Sequence, residues 1–369
     1  MLRSISSLSL PVSDTSRKRP IVIHHHNQLT MGGTEKMCQI FLKHFVEDGI
    51  FDHYVAYTSQ GDKAREPYFK EILGKEKMIC YDSHSTLLNI IQDKKPFILH
   101  RYSAGIPEFP FVREIKEHTK HFVSTSVFGN QDDTIEISKV IYVSKHVQWM
   151  ADKVGNPEKG IFFPDHHVVR NPIEAPYSSE DLREELGIPK DAFVFGRIGR
   201  DDESIYDPIN IEAYSKIANS NTFFLIVNPS RSSRTDIERL NITSAKYIER
   251  TTDEVRLSQF YNTIDVLAHA RKDGECNPAN VFEAAAHRKP VISHYGQVFN
   301  GHMETIQNSG FVVLPGDVDE YARIMKAFVD KEVNYQALSD NAYKQWQKVT
   351  PELMSTAQLN IYKELLKNT

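Results

Sequence analysis

The chain has 369 residues, of which 40% are hydrophobic. This length exceeds what one hydrophobic core usually supports, so we expect two domains with room for a cleft between them. The 44 basic and 49 acidic residues give a formal net charge of -5, and no long block of Lys or Arg occurs. This balance argues against a nucleic-acid partner and leaves neutral or anionic small molecules as candidate ligands.

Cysteine usage and hydropathy indicate a reducing, cytoplasmic setting. The odd number of cysteines, their wide separation and the lack of a CxxC pair argue against a disulfide framework or a structural zinc site. No apolar run approaches the roughly 20 residues that cross a bilayer. Residues 1–19 are Ser-rich and lack the apolar centre of a secretion signal, which predicts a flexible tail. An organelle-targeting role is the alternative for this segment, and Asp14 argues against it.

The first predicted elements form a strand, a glycine turn and a helix. Residues 21–23 are a β-branched apolar run, and the polar loop after them ends in Gly32 and Gly33. A helix is predicted from Thr34 because one apolar stripe recurs at helical spacing, and Gly49 stands where such a helix ends. The stripe consists of Cys38, Phe41, Leu42, Phe45 and Val46.

The same alternation continues and predicts a mostly parallel sheet covered by helices. The further strands are predicted at residues 53–58, 78–81, 97–100 and 139–144, and the helices at 67–73, 87–93 and 146–153. Prolines and asparagines then crowd residues 156–176, which is typical of a linker. We therefore assign residues 20–172 to a first α/β domain.

After the linker the alternation restarts. Strands are predicted at residues 192–198, 222–227, 246–248, 265–269, 290–293 and 311–314, and helices at 208–218, 253–262, 303–307, 317–331, 334–348 and 351–367. Residues 173–349 are assigned to a second α/β domain, and 350–369 to a separate C-terminal helix. No repeat of short period is apparent.

Two glutamates stand eight positions apart around a predicted helix start. Asn277 is a favoured cap and Pro278 suits the first helical position, so Glu275 precedes the helix and Glu283 lies in its second turn. The free N–H groups of Ala279 and Asn280 and the positive end of the helix dipole lie between the two carboxylates. This pattern suits a ligand with a diphosphate in the middle and hydroxyl groups at both ends.

A structural interpretation of the same residues stays open. Asn280 could itself be the cap, with Glu283 closing its own helix in a capping box. Glu275 would then be a solvated loop residue.

The segment from Glu275 to Glu283 resembles the EX7E signature of the retaining glycosyltransferases of family 4. Those enzymes have the GT-B architecture, in which two Rossmann-like domains face each other across a cleft. Further stretches fall in the family's order over residues 20–315. They are MGGTE at 31–35, the strand and linker at 141–145 and 169–174, Gly199-Arg200, and the strand approach at 260–266.

The resemblance implies a role for each matching residue. Glu283 would accept hydrogen bonds from the donor ribose, and Glu275 would hold hydroxyl groups of the donor sugar. Arg200 would pair with the diphosphate. Gly32 and Gly33 would let the backbone approach the phosphates or the acceptor.

The resemblance also implies the overall activity. It implies a hexosyltransferase-like transfer with retention from a nucleotide-sugar, with no essential metal and no separate cofactor. The second domain would bind the donor, and the first would bind a carbohydrate or glycoconjugate acceptor. The C-terminal helix would return to pack on the first domain.

Three departures from the family leave a non-catalytic GT-B binding subunit open as an alternative. The lysine expected about five residues after the phosphate arginine is missing, because residues 201–206 read DDESIY. Pro278 removes one backbone donor. Residues 124–129 lack the family's histidine. The cations considered as replacements are Arg231, Arg234, Arg271 and Lys272.

Histidines offer further candidates. Residues 24–26 are three successive histidines, but neighbouring strand side chains point to opposite faces, which argues against a metal site. His100 ends a predicted strand at the ligand-binding edge of the sheet, where it could orient the acceptor hydroxyl; a hydrogen-bonded structural role is the alternative.

Residues 111–122 carry mixed charge, which favours a solvated helix and leaves peripheral membrane contact as a secondary hypothesis. No GxGxxG follows a predicted strand, which argues against a nicotinamide-dependent oxidoreductase.

Overall fold

The computed structural model describes residues 18–103, 109–129, 137–154 and 166–367. The chain forms two α/β domains, each built on a parallel sheet with its own buried core. The predicted α/β fold is therefore confirmed. No helix in the described ranges is both long enough and apolar enough to span a bilayer.

The first domain surrounds a sheet whose seven strands, within the described residues, all run parallel. The strands are β1 (Ile21–His26), β2 (Asp52–Thr58), β3 (Met78–Tyr81), β4 (Ile98–Ser103), β5 (His121–Ser126), β6 (Lys139–Tyr142) and β7 (His166–Val168). The helices are α1 (Gly33–Asp48), α2 (Glu66–Leu73), α3 (His84–Lys94), α4 (Phe109–Lys116) and α5 (Lys145–Val154). In the strand order β3-β2-β1-β4-β5-β6-β7, successive strands are added on one side of β1 up to β3 and on its other side from β4 onward, so the order switches between β1 and β4. Open α/β sheets bind ligands at the carboxyl ends of the strands at such a point.

The second domain repeats this plan around six parallel strands in the described residues, with the order β10-β9-β8-β11-β13-β15. These strands and a small ribbon of β12 and β14 are β8 (Phe193–Ile198), β9 (Thr222–Val227), β10 (Ala245–Ile248), β11 (Val266–Ala268), β12 (Gly274–Glu275), β13 (Val291–His294), β14 (Phe299–Asn300) and β15 (Gly310–Val313). The helices are α6 (Arg183–Leu186), α7 (Ile209–Ser215), α8 (Arg231–Arg239), α9 (Glu254–Thr263), α10 (Ala279–Ala286), α11 (Met303–Ile306), α12 (Val318–Val329), α13 (Tyr335–Trp346) and α14 (Pro351–Lys367).

Helix α8 is an element that the hydrophobic pattern did not predict. Its sequence RSSRTDIER is almost entirely polar, and only Ser233 and Ile237 are buried. The Ser230 side chain accepts a hydrogen bond from the Ser233 N–H and so caps the helix. Because α8 has no apolar stripe, its formation depends on the Ser230 cap and on the packing of Ile237.

The last helix, α14, lies against the first domain. The buried Tyr362 hydroxyl contacts His100 Nδ1, and Gln358 Nε2 donates to the Tyr362 hydroxyl at 3.0 Å. Lys363 forms an ion pair with Asp48 of α1 at 2.9 Å. The chain therefore crosses between the domains twice, at residues 169–181 and at the start of α14.

The histidines of β1 are buried and face different partners. His24 Nε2 lies 3.0 Å from His53 Nδ1, whereas His25 Nε2 lies 2.7 Å from the Tyr81 hydroxyl. The His26 ring stacks on Tyr102 with centroids 4.5 Å apart. Burial lowers the pKa of His25, His26 and His53 to about 3. In the described part of the chain, no group of three or more His, Cys, Asp or Glu side chains is arranged to hold a metal ion.

Candidate functional site

A cleft of about 560 Å³ lies between the two domains at the carboxyl ends of both sheets. The first domain contributes residues 31–35 at the start of α1 together with Val127 and Phe128. The second domain contributes the ends of β8 and β11, the β12 strand and the N-terminus of α10. Every predicted site residue except His100 lines this cleft: Gly32, Gly33, Arg200, Glu275, Ala279, Asn280 and Glu283.

Helix α10 begins at Ala279, one residue later than predicted. Pro278 is the N-cap, in an extended conformation with φ -78° and ψ 103°. The first amide groups of a helix have no intrahelical acceptor, and those of Ala279 and Asn280 stand at the cleft wall. Asn277 does not cap the helix. The tip of α10 is thus an electropositive surface facing the cleft.

The capping box considered for Asn280 and Glu283 is not formed. Asn280 lies inside the helix, where its Nδ2 donates to the Ile198 carbonyl at 3.3 Å. The Glu283 carboxylate instead accepts a hydrogen bond from the Tyr261 hydroxyl at 2.8 Å. Its other oxygen lies 4.0 Å from Nζ of Lys36, which belongs to the first domain. Glu283 therefore faces the space between the domains rather than its own backbone.

The β12–β14 ribbon fixes the backbone that carries Glu275. Gly274 has a φ of +76°, and a Cβ at this position would lie 1.8 Å from the Phe299 carbonyl oxygen. Only glycine tolerates both conditions. The Gly301 N–H donates to the Glu275 carbonyl at 2.8 Å and closes the ribbon. The segment before α10 is therefore a tightly packed ribbon that fixes the position of Glu275.

The Glu275 carboxylate is held ionised at the cleft wall. Its Oε1 lies 3.4 Å from Arg271 Nη1 and 3.8 Å from His269 Nε2. Burial by itself raises the pKa of Glu275, but the nearby His269 imidazole and the Arg271 charge outweigh it, so the pKa is below its usual value. An acceptor-only carboxylate here can hold hydroxyl groups of a ligand.

Two arginines bring positive charge to the cleft beside α10. Arg200 is exposed at the rim, whereas Arg197 on β8 is only 5% exposed and also lines the cleft. Within the described part of the chain, Nε and Nη1 of Arg197 have no hydrogen-bond partner, although the guanidinium lies 5.4 Å from the Tyr206 ring centroid. A buried guanidinium with unused donors can bind an anion.

Arg197 was missed in the sequence, although a cation inside the apolar strand FVFGRI was a usable signal. Among the replacement cations considered, Arg271 lines the cleft. Arg234 instead forms an ion pair with Glu249.

His100 does not lie in the cleft. It is fully buried under α14, with Nε2 2.7 Å from Thr125 Oγ1 and Nδ1 in contact with the Tyr362 hydroxyl. Both ring nitrogens are used inside the core, and burial lowers the pKa of the ring to about 3. This position fits the alternative of a hydrogen-bonded structural histidine and offers no contact with an acceptor. The predicted strand ended at His100, whereas β4 continues to Ser103, so His100 lies inside the strand and not at its end.

Contacts on two sides of the cleft join the domains. On one side Lys36 pairs with Glu254 at 3.1 Å. On the other side, Glu304 of the second domain accepts hydrogen bonds from the N–H groups of Lys145 and His146 at the start of α5, and it pairs with Arg170. These long-range contacts had no signal in the sequence.

The comparisons with known proteins agree with this geometry. Residues 178–345 match the family model "Glycosyl transferases group 1". No curated protein sequence matches the chain. Among solved structures, a glycosyltransferase from Rickettsia africae has a TM-score of 0.75 and 19% identity, covering 96% of this chain and 100% of that one.

Two further structures show the same architecture over nearly the whole chain. HepE from Anabaena, in complex with UDP and glucose, has a TM-score of 0.73 and 15% identity, covering 94% of this chain and 100% of that one. The lipopolysaccharide outer core galactosyltransferase WaaB has a TM-score of 0.72 and 15% identity, covering 93% of this chain and 99% of that one. The chain has the GT-B fold. This agrees with two parallel-sheet domains that face each other across the described cleft.

Proposed function

We propose that this GT-B protein is a glycosyltransferase that moves a sugar from a nucleotide-sugar to an acceptor hydroxyl with retention of anomeric configuration. One arrangement carries the proposal: the electropositive tip of α10 faces the interdomain cleft between Glu275 and Glu283. The group 1 family match over residues 178–345 supports transfer, and the EX7E resemblance supports retention.

The cleft offers one position for each part of the donor. The diphosphate would accept hydrogen bonds from the N–H groups of Ala279 and Asn280. Arg197 and Arg200 would neutralise its charge, and the two unused nitrogens of Arg197 compensate for the missing lysine. The ribose would bind at Glu283. No metal is needed in this scheme because the positive charges belong to the protein.

The sugar end of the donor would bind beside Glu275. As the bond between the anomeric carbon and the phosphate oxygen breaks, negative charge grows on the diphosphate, and the helix tip and Arg197 stabilise that charge more strongly than in the ground state. The acceptor hydroxyl attacks on the same face and gives its proton to the leaving phosphate oxygen. Gly32 and Gly33 leave room for the acceptor, a carbohydrate or glycoconjugate, on the first-domain wall.

A donor panel separates transfer from simple binding. The protein is incubated with UDP-, GDP- and ADP-sugars and a panel of sugar acceptors, and nucleotide release and acceptor mass are measured together. We expect release with one donor class and an acceptor mass increase of one sugar. Binding without release would instead support the non-catalytic GT-B subunit, which the acidic residues at 201–203 keep as the second candidate.

Replacing Glu283 by alanine is expected to weaken nucleotide binding by about 10- to 100-fold, because hydrogen bonds to a charged group contribute about 1.5–3 kcal/mol. Calorimetric titration with the nucleoside diphosphate measures this directly. Glu254→Ala is the matched control, since it removes the other carboxylate of Lys36 without changing the cleft wall. Equal affinities for both variants and the wild type would remove Glu283 from the donor site.

A further inference from the structure

A histidine behind Glu275 stands out among the buried polar groups near the cleft. His269 follows β11, lines the cleft and is only 4% exposed. Its Nε2 lies 3.8 Å from Glu275 Oε1, and its Nδ1 lies 2.8 Å from the hydroxyl of the fully buried Ser293 on β13. Hydroxyl, imidazole and carboxylate therefore lie in a row that ends at the cleft, with a hydrogen bond between the first two and a 3.8 Å approach between the last two.

We infer that His269 is a positioning residue for Glu275, which orients the carboxylate toward the donor sugar. This inference rests on the proposed function, because it assumes that Glu275 holds that sugar. It goes beyond the EX7E resemblance, which covers the two glutamates and not the residue at the end of β11.

The hydrogen-bond geometry favours one tautomer of His269. If Ser293 donates its single hydroxyl proton to Nδ1, the imidazole carries its own proton on Nε2 and donates it toward Glu275. The competing acceptor for the Ser293 hydroxyl is the His294 carbonyl at 3.5 Å, which is much more distant than the 2.8 Å to His269. The shorter contact to Ser293 thus favours the tautomer with its proton on Nε2, the nitrogen that faces the carboxylate, as outer partners of ligand histidines do at metal sites.

The His269 backbone is fixed by contacts with β13 and α12, and its ring by the hydrogen bond to Ser293. Its N–H donates to the Ile292 carbonyl at 2.8 Å, and its carbonyl accepts from the Tyr321 hydroxyl of α12 at 3.1 Å. An imidazole held in this way presents Nε2 to Glu275 at little entropic cost.

The surrounding charged groups leave His269 and Arg271 as the partners of Glu275. Arg271 also binds Asp273, at 2.6 and 3.0 Å, so its charge is shared. The His302 ring lies 5.6 Å from His269, and its Nε2 donates to the His294 carbonyl at 2.9 Å. Burial lowers the pKa of His302 to about 4, so this ring is neutral near pH 7.

On the far side of this cluster, His294 Nε2 accepts from the Arg271 N–H at 3.2 Å and lies 3.7 Å from Asp207 Oδ2. Both His269 and Arg271 contact Oε1 of Glu275. Among the described residues, no hydrogen bond reaches Oε2. Oε2 is therefore the oxygen left to accept a donor hydroxyl.

Two substitutions at His269 test the inference. His269→Phe keeps a planar ring but removes both nitrogens, whereas His269→Gln keeps an N–H donor near the position of Nε2. We expect His269→Phe to lower kcat by about 10- to 100-fold while the donor Kd changes by less than about threefold, and we expect His269→Gln to recover about tenfold of that loss.

The pH profile separates positioning from a general packing defect. Without the His269 donor the pKa of Glu275 rises, and activity needs the ionised form, so the acid limb of kcat should move to higher pH in His269→Phe. Thermal unfolding of each variant checks that the fold is intact. A wild-type kcat and an unmoved acid limb in His269→Phe would overturn the inference while leaving the proposed function standing.

A readout without turnover covers the case in which the proposed transfer itself fails. The nitrogen-15 NMR shifts of the His269 ring report which nitrogen is protonated. We expect protonation on Nε2 in the wild type and loss of that preference in Ser293→Ala. Protonation on Nδ1 in the wild type would overturn the inference whether or not the protein transfers sugar.

Discussion

Replacing Glu275 by glutamine is expected to lower kcat by at least about 100-fold, a loss typical of removing one group that acts mainly in the transition state. The glutamine keeps the size of the side chain but removes the charge that Arg271 and His269 hold at the cleft wall. Donor affinity should change by less than about threefold, because the diphosphate and ribose contacts are separate. Steady-state rates and calorimetric titration on the same preparation measure both quantities.

Asp273→Asn is the matched control for that substitution. Asp273 binds the same arginine at 2.6 Å but does not line the cleft. It should leave kcat within about threefold of the wild type, within the range of a surface ion pair. If both substitutions lowered kcat equally, the loss would come from disturbing Arg271, and Glu275 would have no role of its own.

The first domain is expected to lose stability steeply below pH 6.5. Burial lowers the pKa of His25, His26, His53 and His100 to about 3, so these rings are neutral in the folded state and take up a proton on unfolding. These neutral rings contribute their full share to the free energy of unfolding above about pH 6.5, the pKa of histidine in the unfolded chain. That contribution falls as the pH drops from there toward 3. At pH 5, proton uptake by each ring on unfolding lowers the free energy of unfolding by about 2 kcal/mol. Urea unfolding at pH 7.5 and pH 5.0 measures the difference.

His26→Phe sharpens this test because it removes one titrating ring while keeping the stacking on Tyr102. The pH-dependent loss between pH 7.5 and 5.0 should shrink by about 2 kcal/mol relative to the wild type. Comparing the same variant at the two pH values cancels any change in packing. An unchanged difference would mean that His26 takes up no proton on unfolding over this range.

Local patterns were enough to predict both α/β domains. The apolar stripe of α1, the glycines before it and the proline-rich linker each signal structure within a few residues of chain, where steric and hydrogen-bonding preferences act directly. The predicted final helix 351–367 has the same bounds as α14. Helix α8 was missed because its polar sequence carries no such periodic signal.

Residues of the candidate site could be predicted only where they belong to a motif of fixed spacing in the sequence. Glu275 and Glu283 were found from their spacing and the turn between them. His100 was placed at a ligand-binding edge by the same kind of reasoning, yet α14 covers it from 262 positions away in sequence. A strand end is open to a ligand only if no distant element packs over it, and spacing along the chain does not encode that.

The sequence by itself determined the two-domain α/β plan and the pairing of two acids with a helix start, because these depend on residues close together in the chain. Only the tertiary structure decided that Arg197 is buried with unused donors, that His269 stands behind Glu275 and that Lys36 reaches Glu283 from the other domain. Each of these depends on how strands and domains from distant parts of the chain meet, and burial and charge at a meeting point follow from packing rather than from local preference.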